Sequence, residues 1–71
     1  MLNLYYFTTY TLNGASGLQY DGDKNSYYIT REDVGFQLTV EHADGTSENY
    51  GCSTLSTAIA SVEALERGEE I

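Results

Sequence analysis

The stretch Ser53-Thr54-Leu55-Ser56-Thr57-Ala58-Ile59-Ala60-Ser61-Val62-Glu63-Ala64-Leu65-Glu66-Arg67-Gly68 decides how this 71-residue chain folds. Leu55, Ala58, Ile59, Val62 and Leu65 recur at i, i+3, i+4, i+7 and i+10, and at about 100° per residue they share one stripe of a helix. Ser53 is placed as the N-cap, because a serine hydroxyl accepts from an orphan amide of the first turn. Gly68 stands where a left-handed residue closes a helix. Roughly fourteen residues at ~1.5 Å each give a helix about 21 Å long. Its apolar stripe must be covered, and only a sheet formed by the rest of the chain can cover it.

The preceding residues read as strands and turns. Leu4 to Leu12 is rich in Tyr, Phe and Thr, which suit a pleated, half-buried surface. Leu4, Tyr6, Thr8, Tyr10 and Leu12 would share one face, and Tyr5, Phe7, Thr9 and Thr11 the other. Asn13 to Gly17 is a turn, and Leu18 to Tyr20 a short returning strand. Asp21 to Ser26 reads as a polar loop, Tyr27 to Thr30 as a strand, and Arg31 to Gly35 as a second turn. Gly35 to His42 is the clearest strand, with Phe36, Leu38 and Val40 on one side and Gln37, Thr39 and Glu41 on the other. Ala43-Asp44-Gly45 has hairpin chemistry. Thr46 to Tyr50 returns, and Gly51 is expected to break the strand. The pattern implies one α+β domain over residues 1–71: a small antiparallel sheet of three to four strands with one C-terminal helix packed on one face.

Composition narrows the function. Eleven acidic residues against three basic ones give a net charge of −8. Residues 41–71 hold seven of those acids and a single base. Affinity for phosphate comes from Lys and Arg, so direct nucleic-acid binding is not expected and a partner should be basic. Cys52 is the only cysteine; it allows neither an internal disulfide nor a cysteine-based zinc site and suggests a reducing, cytoplasmic setting. MLNLYYFTTYTL lacks the basic start and cleavage site of a signal peptide. No run approaches the ~18 apolar residues of a membrane span.

Candidate chemistry is sparse, and no enzyme or cofactor is expected. Asp21, Asp23, Asn25 and Glu32 occupy positions 1, 3, 5 and 12 of an EF-hand loop, a weak calcium-binding alternative. Ser26 replaces the glycine required at position 6, and neither flank has helical periodicity. His42 has no neighbouring ligand or nucleophile in sequence. Cys52 reads as a small apolar filler beside the helix.

Two features remain. Seven tyrosines exceed what a small core needs, and a tyrosine serves cores and interfaces alike. In the pairs Tyr5-Tyr6 and Tyr27-Tyr28, one ring of each should lie on the uncovered sheet face; Tyr5 and Tyr28 are candidate contacts there, for a partner or a homodimer. Glu63, Glu66, Glu69 and Glu70 crowd the helix C-terminus, where the macrodipole disfavours negative charge by about 0.3–1 kcal/mol each. With Glu41, Asp44 and Glu48 of the hairpin they are expected to form one anionic ridge.

The segment FQLTVEHADGTSENYGCSTLSTAIASVEALE resembles the β-β-β-α layout of AP2-like and integrase arm-binding domains. Such domains read DNA from the sheet with basic and aromatic residues; Glu41, Asp44 and Glu48 stand on the matching strands here, which argues against that activity. In size, acidity and lack of catalytic motifs the chain is similar to phage-encoded inhibitors of bacterial defence, including anti-CRISPR and anti-restriction proteins. That resemblance implies a DNA mimic acting in a bacterial cytoplasm, which occupies the basic groove of a nucleic-acid-binding protein.

Overall fold

The computed structural model describes residues 6–12 and 15–69. Five strands and one helix follow in order: β1 (Thr8–Leu12), β2 (Ala15–Asp21), β3 (Asn25–Arg31), β4 (Phe36–His42), β5 (Ser47–Cys52) and α1 (Leu55–Glu66). The strands form an antiparallel meander in the order β1-β2-β3-β4-β5. The sheet has five strands where three to four were expected. The short run Leu18 to Tyr20 is part of a full seven-residue strand, and the turns are tighter than expected. The β2–β3 connection is only Gly22-Asp23-Lys24, closed by a bond from the Gly22 amide to the Asn25 carbonyl at 2.9 Å. Asn25 and Ser26 are therefore ladder residues rather than loop, and β2 reaches back to Ala15. Gly51 does not break β5; it pairs with Gln37.

Side chains alternate across the pleat, and the alternation defines two faces. Tyr27 and Ile29 of β3 lie opposite Val40 and Leu38 of β4, and all four are buried. With Phe7, Cys52, Ala58 and Val62 they make the hydrophobic core. Leu18, Tyr20, Phe36, Tyr50, Leu55, Ile59 and Leu65 pack around its rim. The helix thus buries the stripe its spacing implies, over β3, β4 and β5. Fully burying a side chain of this kind contributes about 1.5–3 kcal/mol.

The helix ends are well defined. Thr54, not Ser53, is the N-cap: its backbone is extended (φ −135°, ψ 159°) and its hydroxyl accepts from the Thr57 amide at 3.1 Å. The two hydroxyl residues differ by one position, and the one whose backbone turns into the helix takes the role. At the other end Gly68 adopts φ 84°. The Gly68 amide donates to the Leu65 carbonyl at 3.0 Å and the Glu69 amide to the Ala64 carbonyl at 2.9 Å, the paired bonds of a Schellman closure. Cys52 is buried, and burial pushes its thiol pKa up, partly offset by the Ser61 hydroxyl; it fills space as the sequence suggests.

Leu38 is fully buried at the centre of the core. Leu38→Ala should cost about 2–5 kcal/mol, comparable to the whole stability of so small a domain. Chemical denaturation should show the cooperative transition of the parent moved to very low denaturant or lost, while Thr39→Ala on the opposite face keeps most of it.

Candidate functional site: an acidic pole and an open sheet face

An antiparallel meander returns alternate turns to the same end of the sheet. The β2–β3 and β4–β5 turns share one end, and the β3–β4 turn lies at the other. The helix C-terminus joins the first end, because the Glu66 carboxylate accepts the Asp23 amide at 3.0 Å. Of the ten described acids, Asp21, Asp23, Glu41, Asp44, Glu48, Glu63, Glu66 and Glu69 therefore gather at one pole. Only Glu32 and Asp33, in the β3–β4 turn, lie at the opposite end. Tyr5 and Glu70 lie outside the described residues.

The pole divides into acids held by the protein's own donors and acids that face outward. Glu63 and Glu69 flank Arg67, at 2.8 and 2.6 Å. Their field raises the guanidinium pKa, Glu69 contributing most. Lys24 leans the same way: a Cβ built on Gly68 would lie 3.4 Å from its Nζ. Glu66 is turned inward. Its Oε1 accepts the Tyr27 hydroxyl at 2.6 Å while Oε2 takes the Asp23 amide. A side chain at Gly22 would run into that carboxylate. Of the expected helix ridge, Glu63 and Glu69 share Arg67, and Glu66 is taken up by the Tyr27 hydroxyl and the Asp23 amide.

The outward acids come from the sheet and its turns. Asp21, Asp23, Glu41, Asp44 and Glu48 are all exposed. Asp44 accepts both the amide and the hydroxyl of Thr46, at 2.9 and 2.6 Å, and these bonds hold its carboxyl below the usual range. The turn is completed by Gly45 at φ 92°, the left-handed position of a three-residue hairpin. Glu48 accepts the Tyr50 hydroxyl, which raises that phenol's pKa.

A chain of polar contacts ties these turns to the helix. Glu48 Oε1 lies 3.7 Å from His42 Nε2. His42 Nδ1 meets Asn25 Oδ1 at 2.8 Å. Asn25 donates through Nδ2 to the Tyr27 hydroxyl at 3.2 Å, and Tyr27 donates to Glu66. Since Asn25 offers its oxygen to His42, the proton in that contact belongs to Nδ1. Burial first, and the bond to Glu66 next, push the Tyr27 phenol up to about 12. His42 is thus a structural link between β4, β3 and β5.

The calcium-loop positions do not converge. Asp21 ends β2 and Asn25 opens β3, but Glu32 follows the far end of that seven-residue strand, about 20 Å away at ~3.3 Å per residue. Among the described residues no group of three or more His, Cys, Asp or Glu could hold a metal ion.

The sheet face away from the helix carries Thr8, Tyr10, Gln19, Asp21, Ser26, Tyr28, Thr30, Gln37, Thr39, Glu41, Ser47 and Asn49, by the register of the four pairings. It bears no Lys or Arg among the described residues. Tyr28 lies on it while Tyr27 is buried, the split expected of that pair. Tyr10 was not singled out by the sequence. Its ring crosses β2 to meet Tyr28 edge-on, with centroids 5.6 Å apart at 81°, and its hydroxyl bonds Thr30 at 2.8 Å. Gly17 makes that crossing possible; a Cβ there would lie 2.7 Å from the Tyr10 ring and 2.6 Å from the Ile29 carbonyl oxygen.

Comparison of the chain with protein families, curated proteins and solved structures finds no match. No described helix is long and apolar enough to cross a membrane.

Burial of the Tyr27 phenol, with its bond to Glu66, gives stability a pH signature. The folded phenol titrates near 12 against 10.0 for an ordinary tyrosine. The folded state therefore holds this proton more tightly, and the contribution is complete below pH 10 and lost as pH rises through 12. Two units correspond to about 2–3 kcal/mol. Unfolding measured across that window should show a steeper alkaline loss in the parent than in Tyr27→Phe, which at neutral pH is less stable by about 1–2 kcal/mol.

Proposed function

We propose that this chain is a non-enzymatic binding protein that docks its acidic pole onto the basic, nucleic-acid-binding surface of a protein partner, such as a CRISPR effector or a restriction complex, and so blocks it. The observation that carries this reading is the placement of eight of the ten described acids at one end of the fold, six of them exposed and five of those on the sheet and its turns. Carboxylates grouped in this way offer a Lys/Arg groove the charge that phosphates would supply, and opposite potentials steer association. The molecule spans 30 × 24 × 21 Å. Against a duplex carrying one charge per ~1.7 Å of axis, a pole of this size matches a short contact of a few phosphates rather than a length of helix. The contact acids in this reading are Asp21, Asp23, Glu41, Asp44 and Glu48, which replaces the helix ridge with the turns.

The test is affinity for purified nucleic-acid-binding complexes as salt is raised from 50 to 300 mM. Binding should weaken steeply with salt and be competed by the complex's own nucleic acid. Charge removal at Asp21, Glu41 and Glu48 together (Asp→Asn, Glu→Gln) should weaken it at least tenfold, while Glu63→Gln with Glu69→Gln changes it less than threefold. Salt-independent binding, or a larger loss from the helix pair than from the turn acids, would remove the pole as the contact.

A further inference from the structure

The uncovered face holds more than charge. Tyr10 and Tyr28 sit edge-to-face at its centre, and beside them is a shallow hollow of about 480 Å³ lined by Tyr10, Thr11, Tyr28, Thr30, Thr39 and Glu41. The register sets two carboxylates around the Tyr28 ring. Gln19 and Thr39 are its direct cross-strand neighbours, and Asp21 and Glu41, which flank Ser26 on either side, lie one diagonal away. Both fields reach the phenol: after burial, Glu41 and then Asp21 raise the Tyr28 pKa.

The surroundings are fixed in advance. Tyr10 is bonded to Thr30 and seated over Gly17. Thr39 donates to Asn49 Oδ1 at 2.8 Å, and Gln37 donates to the same oxygen at 3.1 Å. Asp21 accepts from Gln19 at 3.3 Å. The Glu41 carboxylate forms no hydrogen bond or ion pair with any described residue. The bases are directed elsewhere, Arg67 to the helix acids and Lys24 to the helix C-terminus.

We propose that this hollow seats an arginine side chain of the partner protein, its guanidinium against the Tyr10–Tyr28 rings and hydrogen-bonded to Glu41, with Asp21 adding charge from the far side of Tyr28. An aromatic ring attracts a cation laid on its face, a carboxylate takes the guanidinium fork, and planar arginine suits a shallow aromatic surface better than a compact ammonium does. A second copy of this chain does not fit the seat, because its matching face brings Asp21 and Glu41 and no base. The proposal rests on the basic-partner reading and adds to it the side chain that is recognised and the place that recognises it.

The probe is the capped tripeptide acetyl-Gly-Arg-Gly-amide, titrated at low salt against the whole chain with tyrosine ring and backbone resonances recorded. Saturable shifts should appear at the Tyr10 and Tyr28 rings and at the Glu41 amide. The lysine analogue should bind more weakly and the glutamine analogue should leave the rings unmoved. Glu41→Gln and Tyr28→Leu should each weaken binding about two- to fivefold, with Asp33→Asn, an exposed acid at the opposite end of the sheet, as the control that keeps it. Tyr28→Thr, a residue that suits a strand, guards against a variant that loses its fold.

Shifts confined to the turns around Asp44 and Glu48, with unchanged affinity in the Tyr28 variants, would overturn the seat while leaving the pole as the contact. Shifts that depend on protein concentration without peptide would assign the face to self-association and overturn it too, as would no shift at all. Peptide bound at the rings, with no binding to any nucleic-acid-binding complex, would keep the seat and remove the proposed partner class.

Discussion

The register between β3 and β4 governs both faces of this protein. Tyr27 opposite Val40 and Ile29 opposite Leu38 supply the centre of the core. The same pairing sets Tyr28 against Thr39, and Ser26 against Glu41, on the other side. A slip of one residue would drive Tyr28 and Thr30 under the helix and leave Tyr27 and Ile29 in water. Glycines pin the ladder at both ends of β4: Gly35 at φ 80° and Gly45 at φ 92° adopt left-handed conformations that other residues resist. The core and the exposed aromatic face are thus two consequences of one alignment.

Glu66 shows why a count of charges does not map a surface. Three acids at a helix C-terminus oppose the macrodipole, which suggests a purpose outside the fold. In the structure Glu66 receives the hydroxyl of a buried tyrosine and the amide of a turn, and Arg67 bridges its two neighbours. These interactions fasten the helix to the β2–β3 turn and offset much of the cost. On the sheet and its turns Asp44 is bonded to Thr46 and Glu48 to Tyr50, whereas the Glu41 carboxylate has no hydrogen bond or ion pair among the described residues. Net charge of the C-terminal half therefore overstates what the helix presents and understates what the β2–β3 turn contributes.

The helix and its buried stripe were legible because a 3.6-residue period over five apolar positions admits one reading. The Phe36-Leu38-Val40 side of β4 was legible by the period of two. Strand extent was not: Leu18 to Tyr20 reads as a short return but is part of a seven-residue strand from Ala15, and Asp-Gly-Asp-Lys-Asn-Ser looks like a six-residue loop until the ladder shows Asn25 and Ser26 paired with His42 and Glu41. The N-cap missed by one residue because Ser53 and Thr54 are chemically alike and only backbone direction separates them. For the site, spacing of two along each strand showed that Tyr27 and Tyr28 diverge. Nothing local revealed that Tyr10 would reach Tyr28 across β2, which needs a glycine at position 17 and a register fixed by distant residues. Glu32 was grouped with Asp21 by linear spacing alone, and a straight strand separates them.

The order of the strands in the sheet is their order in the chain. Every ladder joins neighbours through a short link, so a growing sheet adds one hairpin at a time and closes only small loops as it does so. Loop closure is the entropic toll on nucleation, and this layout keeps it low for a protein so rich in strand. The docking of α1 over β3, β4 and β5 is the one assembly step that reaches far along the chain, which makes it the natural candidate for the slow stage of folding.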